Sequence, residues 1–181
     1  MSKNESILGD ISFFSEILKK SGYKSVSFGS AEIIDNAIDA GANQVLVIGE
    51  SIGNHIRQIG FLDNGCGMAT DVLRKCLQVG HHFKPTKTGK RRGKYGFGLP
   101  GASAAHSDIV EVYSWQSSSS SDVYKVSFDV NNLEQGIEYP QRVDQLPQPY
   151  EALRSTQTVI QSKGTTVWGP VDLLSHGTLV L

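Results

Sequence analysis

Residues 30–63 read SAEIIDNAIDAGANQVLVIGESIGNHIRQIGFLD, and this stretch decides the fold class. Its first third keeps Ile33, Ile34, Ala37, Ile38 and Ala40 on one arc at helical spacing. That spacing predicts a helix from about Ser30 to Ala40, capped by Ser30 and closed by Gly41 in a left-handed conformation. The remainder holds two β-rich runs, QVLVIG (44–49) and IRQIGFLD (56–63), which meet across Gly53-Asn54 and predict a hairpin.

Working outward, residues 70–79 predict a second helix with Thr70 as its cap, and a shorter helix is expected to start near Leu99 or Pro100. Upstream, ISFFSEILKK (11–20) has helical spacing and stops before Ser21-Gly22. Downstream, IVEVYSW (109–115) and DVYKVSFDV (122–130) alternate like paired antiparallel strands around the serine run 117–121. Further strands are expected at 156–161, 165–168 and 177–181, whereas 131–155 show no assignable pattern. No strand-helix-strand order repeats, so the fold class is α+β: a two-layer α/β sandwich over a mixed, mostly antiparallel sheet.

A chain of 181 residues with 39% hydrophobic and 19% charged residues fits one folded domain spanning 1–181. A formal charge of −1 offers the domain as a whole no reason to bind nucleic acid or an anionic membrane. Charge is nonetheless local. Six basic residues fall between Lys84 and Lys94 with no acidic one among them. Two cysteines, Cys66 and Cys76, make no disulfide framework, and no apolar run resembles a signal or a membrane span. These features place the expectation in the cytoplasm, without a membrane partner.

Glu32, Asn36 and Asp39 are spaced four and three apart, which puts them within about 60° of one another around a helix. A solvated polar face has the same spacing. The chemistry suits more than that: a glutamate polarises water for attack on a terminal phosphate, and an amide oxygen one turn away ligates magnesium already surrounded by phosphate charge.

In FLDNGCGMAT (61–70), Asp63 ends a strand and Gly65, Gly67 and Met68 follow. An aspartate there accepts a hydrogen bond from an exocyclic amine such as adenine's, glycines admit the ring, and methionine packs on its face. A plain Asp-Asn-Gly turn would look alike. In GKYGFGLPGAS (93–103) glycines precede a helix and form an anion cradle next to basic residues. A flexible basic loop would share that composition. No P-loop pattern occurs, because Thr88-Gly89-Lys90 runs into Arg91. The set Cys66, Cys76, His81 and His82 matches no common zinc spacing.

Taken in order, E-x-x-x-N-x-x-D-A, then D-x-G-x-G, then a glycine-rich G-x-G-L segment resemble the ATP-binding motifs of the gyrase, heat-shock chaperone, histidine kinase and MutL (GHKL) ATPases. SGYKS before the first motif and GKYGFGLPGAS after a basic loop are most similar to the Morc-like and related bacterial members. The resemblance spans about residues 22–110. It implies a Bergerat-type ATP-binding fold with ATP and Mg2+ as cofactors.

By that resemblance Glu32 is the general base, Asn36 the magnesium ligand and Asp63 the adenine reader. Asp39 orients the site, and Gly65, Gly67 and Met68 line the base. The backbone of Lys94, Tyr95, Gly96, Phe97, Gly98 and Leu99 holds the phosphates as part of a lid. A late Gly-Thr pair supports the adenine-binding aspartate. Thr165 and Thr178 are both candidates, and Thr178 is favoured because HGTLVL reads as a closing strand.

The implied activity is magnesium-dependent ATP hydrolysis in a nucleotide-driven clamp, with an ATP-dependent homodimer. DNA or protein clients are expected to engage domains beyond Leu181. The chain is expected to be the N-terminal fragment of a longer protein that supplies a transducer domain and its phosphate-sensing lysine. The alternative is a nucleotide-gated interaction module without significant hydrolysis. A third reading is a nucleic-acid binder acting through Lys84 to Lys94.

Overall fold

The computed structural model describes residues 25–78, 98–104, 107–116, 122–132, 139–155, 161–162, 165–166 and 176–181. The expected helix at 11–20, the basic stretch Lys84 to Lys94 and the lid residues Lys94, Tyr95, Gly96 and Phe97 lie outside the described residues.

The first described helix, α1 (Val26–Asp39), buries Gly29, Ile33 and Ala37, an i, i+4, i+8 stripe that turns one edge of the helix inward. It starts four residues earlier than the sequence suggests. Ser25 occupies the cap position in extended conformation without a side-chain cap bond, so Ser30 lies inside the helix. Gly41 closes it at φ 82°, a conformation suited to glycine.

Strands β1 (Val45–Ile52) and β2 (His55–Asp63) form the predicted hairpin around Gly53, whose φ is 59°. Helix α2 (Thr70–Cys76) follows; its cap is Ala69, with Thr70 already the first helical residue. Then come α3 (Gly98–Ala104), β3 (Ile109–Trp115) and β4 (Val123–Asp129). The unassigned stretch contributes β5 (Gln141–Val143) and α4 (Tyr150–Ser155). Strands β6 (Gln161–Ser162) and β7 (Thr165–Thr166) pair only with each other, and β8 (Gly177–Val180) completes the order.

The main sheet runs β1-β2-β8-β3-β4-β5, and every pairing among the described strands is antiparallel. Period-2 alternation divides its side chains between two faces. On one face Phe61, Val110, Val112, Val126, Phe128 and Val180 pack with Ile33 of α1, Leu73 of α2 and Ala102 of α3. This is the helix layer of the sandwich.

The opposite face carries its own apolar cluster, in which Leu62, Tyr113, Trp115, Val123 and Leu179 meet Leu146 and Tyr150. Tyr150 is fully buried, and its ring lies where a side chain on Gly60 would stand. Two features fix this cover. The amide of Leu146 donates to Oε2 of Glu151 (2.8 Å), and Arg154 pairs with Glu151 while its guanidinium lies 5.4 Å from the Trp115 ring centre.

Candidate functional site

Two groups of residues on the helix-bearing face lie along α1, one from its middle toward its last turn and one at its C-terminal end. At the first, Glu32 is half-buried and Asn36 exposed, one turn apart on the same side of the helix. Gly98, the first residue of α3, is packed against both. A Cβ placed on Gly98 would stand 3.2 Å from Oε2 of Glu32 and 3.7 Å from Nδ2 of Asn36. A side chain there would press on the carboxylate, which would have to give by a few tenths of an ångström. The carboxylate and the amide oxygen are hard donors of the kind magnesium takes alongside phosphate and water, so the residues present fit that ion. Among the described residues no group of three or more His, Cys, Asp or Glu side chains is arranged to hold a metal.

At the C-terminal end of α1 stands the turn after β2. The amide of Cys66 donates to the carbonyl of Ala40 (3.0 Å), which docks the turn on the helix end. The amide of Gly65 donates to Oδ1 of Asp63 (2.7 Å), and a side chain on Gly65 would meet both Ala40 and that oxygen at 2.9 Å. Gly67 adopts φ 65°, and a Cβ there would collide with the carbonyl oxygen of Trp115. Both glycines are therefore required by close approach. Met68 is held by its amide, which donates to the hydroxyl of Ser114 (2.7 Å).

Asp63 is only 7% exposed. Burial pushes its carboxyl up to about 6, against the stabilising amides of Gly65 and Thr178 and the nearby His176. In the β2–β8 ladder Asp63 is directly opposite Thr178, and Thr178 is directly opposite Ser114 in the β3–β8 ladder. The hydroxyl oxygens of Ser114 and Thr178 are 3.2 Å apart. Of the two Gly-Thr candidates, Thr178 stands beside Asp63. Thr165 lies in β7, in the separate two-stranded sheet.

Asp39 is exposed at the last turn of α1, and Leu99 is half-buried, packed against the helix-side core. Beside Met68, an open cleft is bounded by Ala69, Thr70, Ser114, Gln116, Asp122 and Tyr124.

Two residues of this cluster escape a reading by motif. Ser114 is fully buried, accepts from Met68 and donates to the carbonyl of Gly177 (3.0 Å). Its signal was a hydroxyl on the inward face otherwise occupied by Val110 and Val112. His176 places Nδ1 2.6 Å from the carbonyl of Gly65. Its signal was adjacency to the Gly177-Thr178 pair.

A profile of the family described as "Histidine kinase-, DNA gyrase B-, and HSP90-like ATPase" matches residues 23–165. The MORC family CW-type zinc finger protein 1 of Mus musculus is 42% identical over 84 residues, covering 44% of this chain and 9% of that protein. The Homo sapiens protein of the same name is 40% identical over 84 residues, covering 44% of this chain and 8% of its own length. The chain thus matches less than a tenth of the length of these curated relatives. Among the described residues no helix is long and apolar enough to cross a membrane.

Proposed function

Since the chain belongs to the histidine kinase-, DNA gyrase B- and HSP90-like ATPases, and its ATP-binding, ATPase-type character follows from that membership, we propose that it is a magnesium-dependent ATP hydrolase working as a nucleotide-driven clamp. The observation that carries the proposal is the meeting of Glu32, Asn36 and Gly98 along α1, with the turn of Asp63, Gly65 and Met68 docked at its C-terminal end. Ala40, which anchors the glycine turn, is eight residues from Glu32, or about 12 Å along a helix. A purine held at the Asp63 end leaves its triphosphate running toward Asn36 and Glu32.

In this reading Asp63 accepts the exocyclic amine of adenine, Met68 packs on the base, and Thr178 supports the aspartate. Asp39 orients the site beside the pocket. The backbone from Lys94 to Leu99 holds the phosphates. Magnesium, bound through the Asn36 side-chain oxygen, would neutralise charge on the triphosphate. Glu32 takes a proton from a water while the water oxygen bonds to the γ-phosphorus and the bond to the β,γ-bridging oxygen breaks, leaving ADP and phosphate. Closure over nucleotide creates a homodimer contact, hydrolysis reopens it, and DNA or protein clients engage segments beyond Leu181.

Isothermal titration with magnesium and a nonhydrolysable ATP analogue tests the binding half. Asp63→Ala is expected to abolish binding and Glu32→Ala to retain it. Full affinity in the Asp63 variant removes the adenine assignment. Phosphate release that Glu32→Ala eliminates supports hydrolysis; binding without release in the parent chain leaves a nucleotide-gated interaction module instead.

A further inference from the structure

We propose that His176 is a positioning residue of the adenine site, holding the Gly65 peptide so that the Asp63 carboxylate stays turned toward a purine bearing an exocyclic amine. The proposal rests on the nucleotide reading above. Its basis is a contact across 111 residues of sequence, in which Nδ1 of His176 lies 2.6 Å from the Gly65 carbonyl oxygen. A carbonyl only accepts, so Nδ1 carries the hydrogen and donates. That single bond fixes the tautomer and ring orientation of the imidazole.

Gly65 is thereby held on both sides of its Cα, through the carbonyl of the Gly65–Cys66 peptide and the amide of the Asn64–Gly65 peptide. Its carbonyl takes the imidazole hydrogen, and its amide gives its own to Oδ1 of Asp63 at 2.7 Å. With Oδ1 engaged by Gly65 and the Thr178 amide also steadying the carboxylate, the direction of the Asp63 side chain is set by the turn on one side and β8 on the other. Glycine at this position has no side chain to resist rotation, and its neighbours allow none, since a Cβ would press on Ala40 and on Asp63. Loss of the imidazole donor leaves the Gly65–Cys66 peptide held through the Cys66 amide alone, which loosens the turn at the Cα whose other amide binds Oδ1.

His176 also sits next to Gly177, whose carbonyl accepts from Ser114 while Ser114 holds the Met68 amide. The start of β8 therefore clasps the glycine turn at two points, one beside the aspartate and one beside the methionine.

The test measures displacement of a fluorescent ATP analogue by ATP and by purine riboside triphosphate, which has the same ring system without the amine. His176→Ala, His176→Asn, His176→Gln and Asp63→Ala are compared with the parent chain. An asparagine amide nitrogen stands where Nδ1 stands, whereas a glutamine amide nitrogen reaches the position of Nε2. His176→Ala and His176→Gln are expected to weaken ATP about tenfold, the scale of one lost buried hydrogen bond, with little effect on the amine-free nucleotide. His176→Asn is expected to restore the preference for ATP.

Equal weakening of both nucleotides, or parent-like affinity in both His176→Ala and His176→Gln, overturns the assignment. Should His176→Ala fail to fold, the contrast between His176→Asn and His176→Gln is sufficient to decide it. Asp63→Ala distinguishes failure of the adenine site from failure of its positioning residue. Unchanged ATP affinity in that variant removes the adenine site itself, whereas its loss alongside an unaffected His176→Gln removes only the role of the histidine.

Discussion

Ser114 and Thr178 bring their hydroxyl oxygens to 3.2 Å across the β3–β8 ladder, on the face of the sheet that also carries Asp63. The Ser114 hydroxyl serves three neighbours at once: the Met68 amide, the Gly177 carbonyl and Thr178. Replacing it takes a hydrogen-bond partner from the buried Gly177 carbonyl and from the half-buried Met68 amide. Ser114→Ala is expected to cost about 2 kcal/mol in urea unfolding, because stranded buried groups lose their full solvation. It should also weaken nucleotide binding by loosening Met68. A loss below about 0.5 kcal/mol, the scale of an ordinary surface change, would mean that the network carries no weight.

Stability should depend on pH through Asp63. Its carboxyl is raised from 3.8 to about 6 in the folded chain, so between those values the folded state holds a proton that the unfolded state has released. This contribution to stability is complete below pH 4 and lost as pH rises through 6. Two units correspond to about 3 kcal/mol as an upper bound. Asp63→Asn keeps an acceptor for Gly65 and cannot ionise. It is expected to match the parent chain at pH 4 and to exceed it in stability above pH 7, while binding nucleotide poorly. A stability difference that is flat from pH 4 to 8 contradicts the buried carboxylate.

The two thiols should separate cleanly. Cys66 is exposed in the glycine turn, whereas Cys76 is buried under the helix layer and burial pushes its thiol up to about 12. An aromatic disulfide reagent at pH 8 is expected to modify one thiol quickly in the folded chain and both in urea. ATP with magnesium should slow the fast reaction, since the turn carrying Cys66 borders the proposed base site. Labelling of Cys66 that ignores saturating nucleotide argues against that border.

Much of this arrangement was legible in the sequence, and the parts that were not share a physical cause. The α1 stripe, the hairpin around Gly53 and the turn at Gly65 and Gly67 are local, set by periodicity and by glycine conformations within a few residues. The start of α1 was misread because Val26 and Phe28 are exposed, so the first turn lacks the apolar-inward pattern by which helices are recognised. The cover built from β5 and α4 was invisible because it contributes isolated anchors, Leu146 and Tyr150, set among prolines rather than a periodic face. Ser114 and His176 were missed as site residues because their partners lie 46 and 111 residues away, and nothing in a linear motif records such distances. Three-dimensional pairing along β8 brings Thr178, the candidate favoured by its place in HGTLVL, beside Asp63, whereas Thr165 lies in the separate two-stranded sheet.

The place of β8 between β2 and β3 has a consequence for how the chain acquires its shape during translation. Two hairpins emerge from the ribosome early, yet they share no ladder until residues 177–180 arrive to bridge them. Such a late, non-local closure is slow to find and leaves unsatisfied strand edges in the nascent polypeptide. The aspartate, the glycine turn and the threonine become neighbours only once β8 inserts between β2 and β3, so competence to grip a ligand waits on that one non-local pairing.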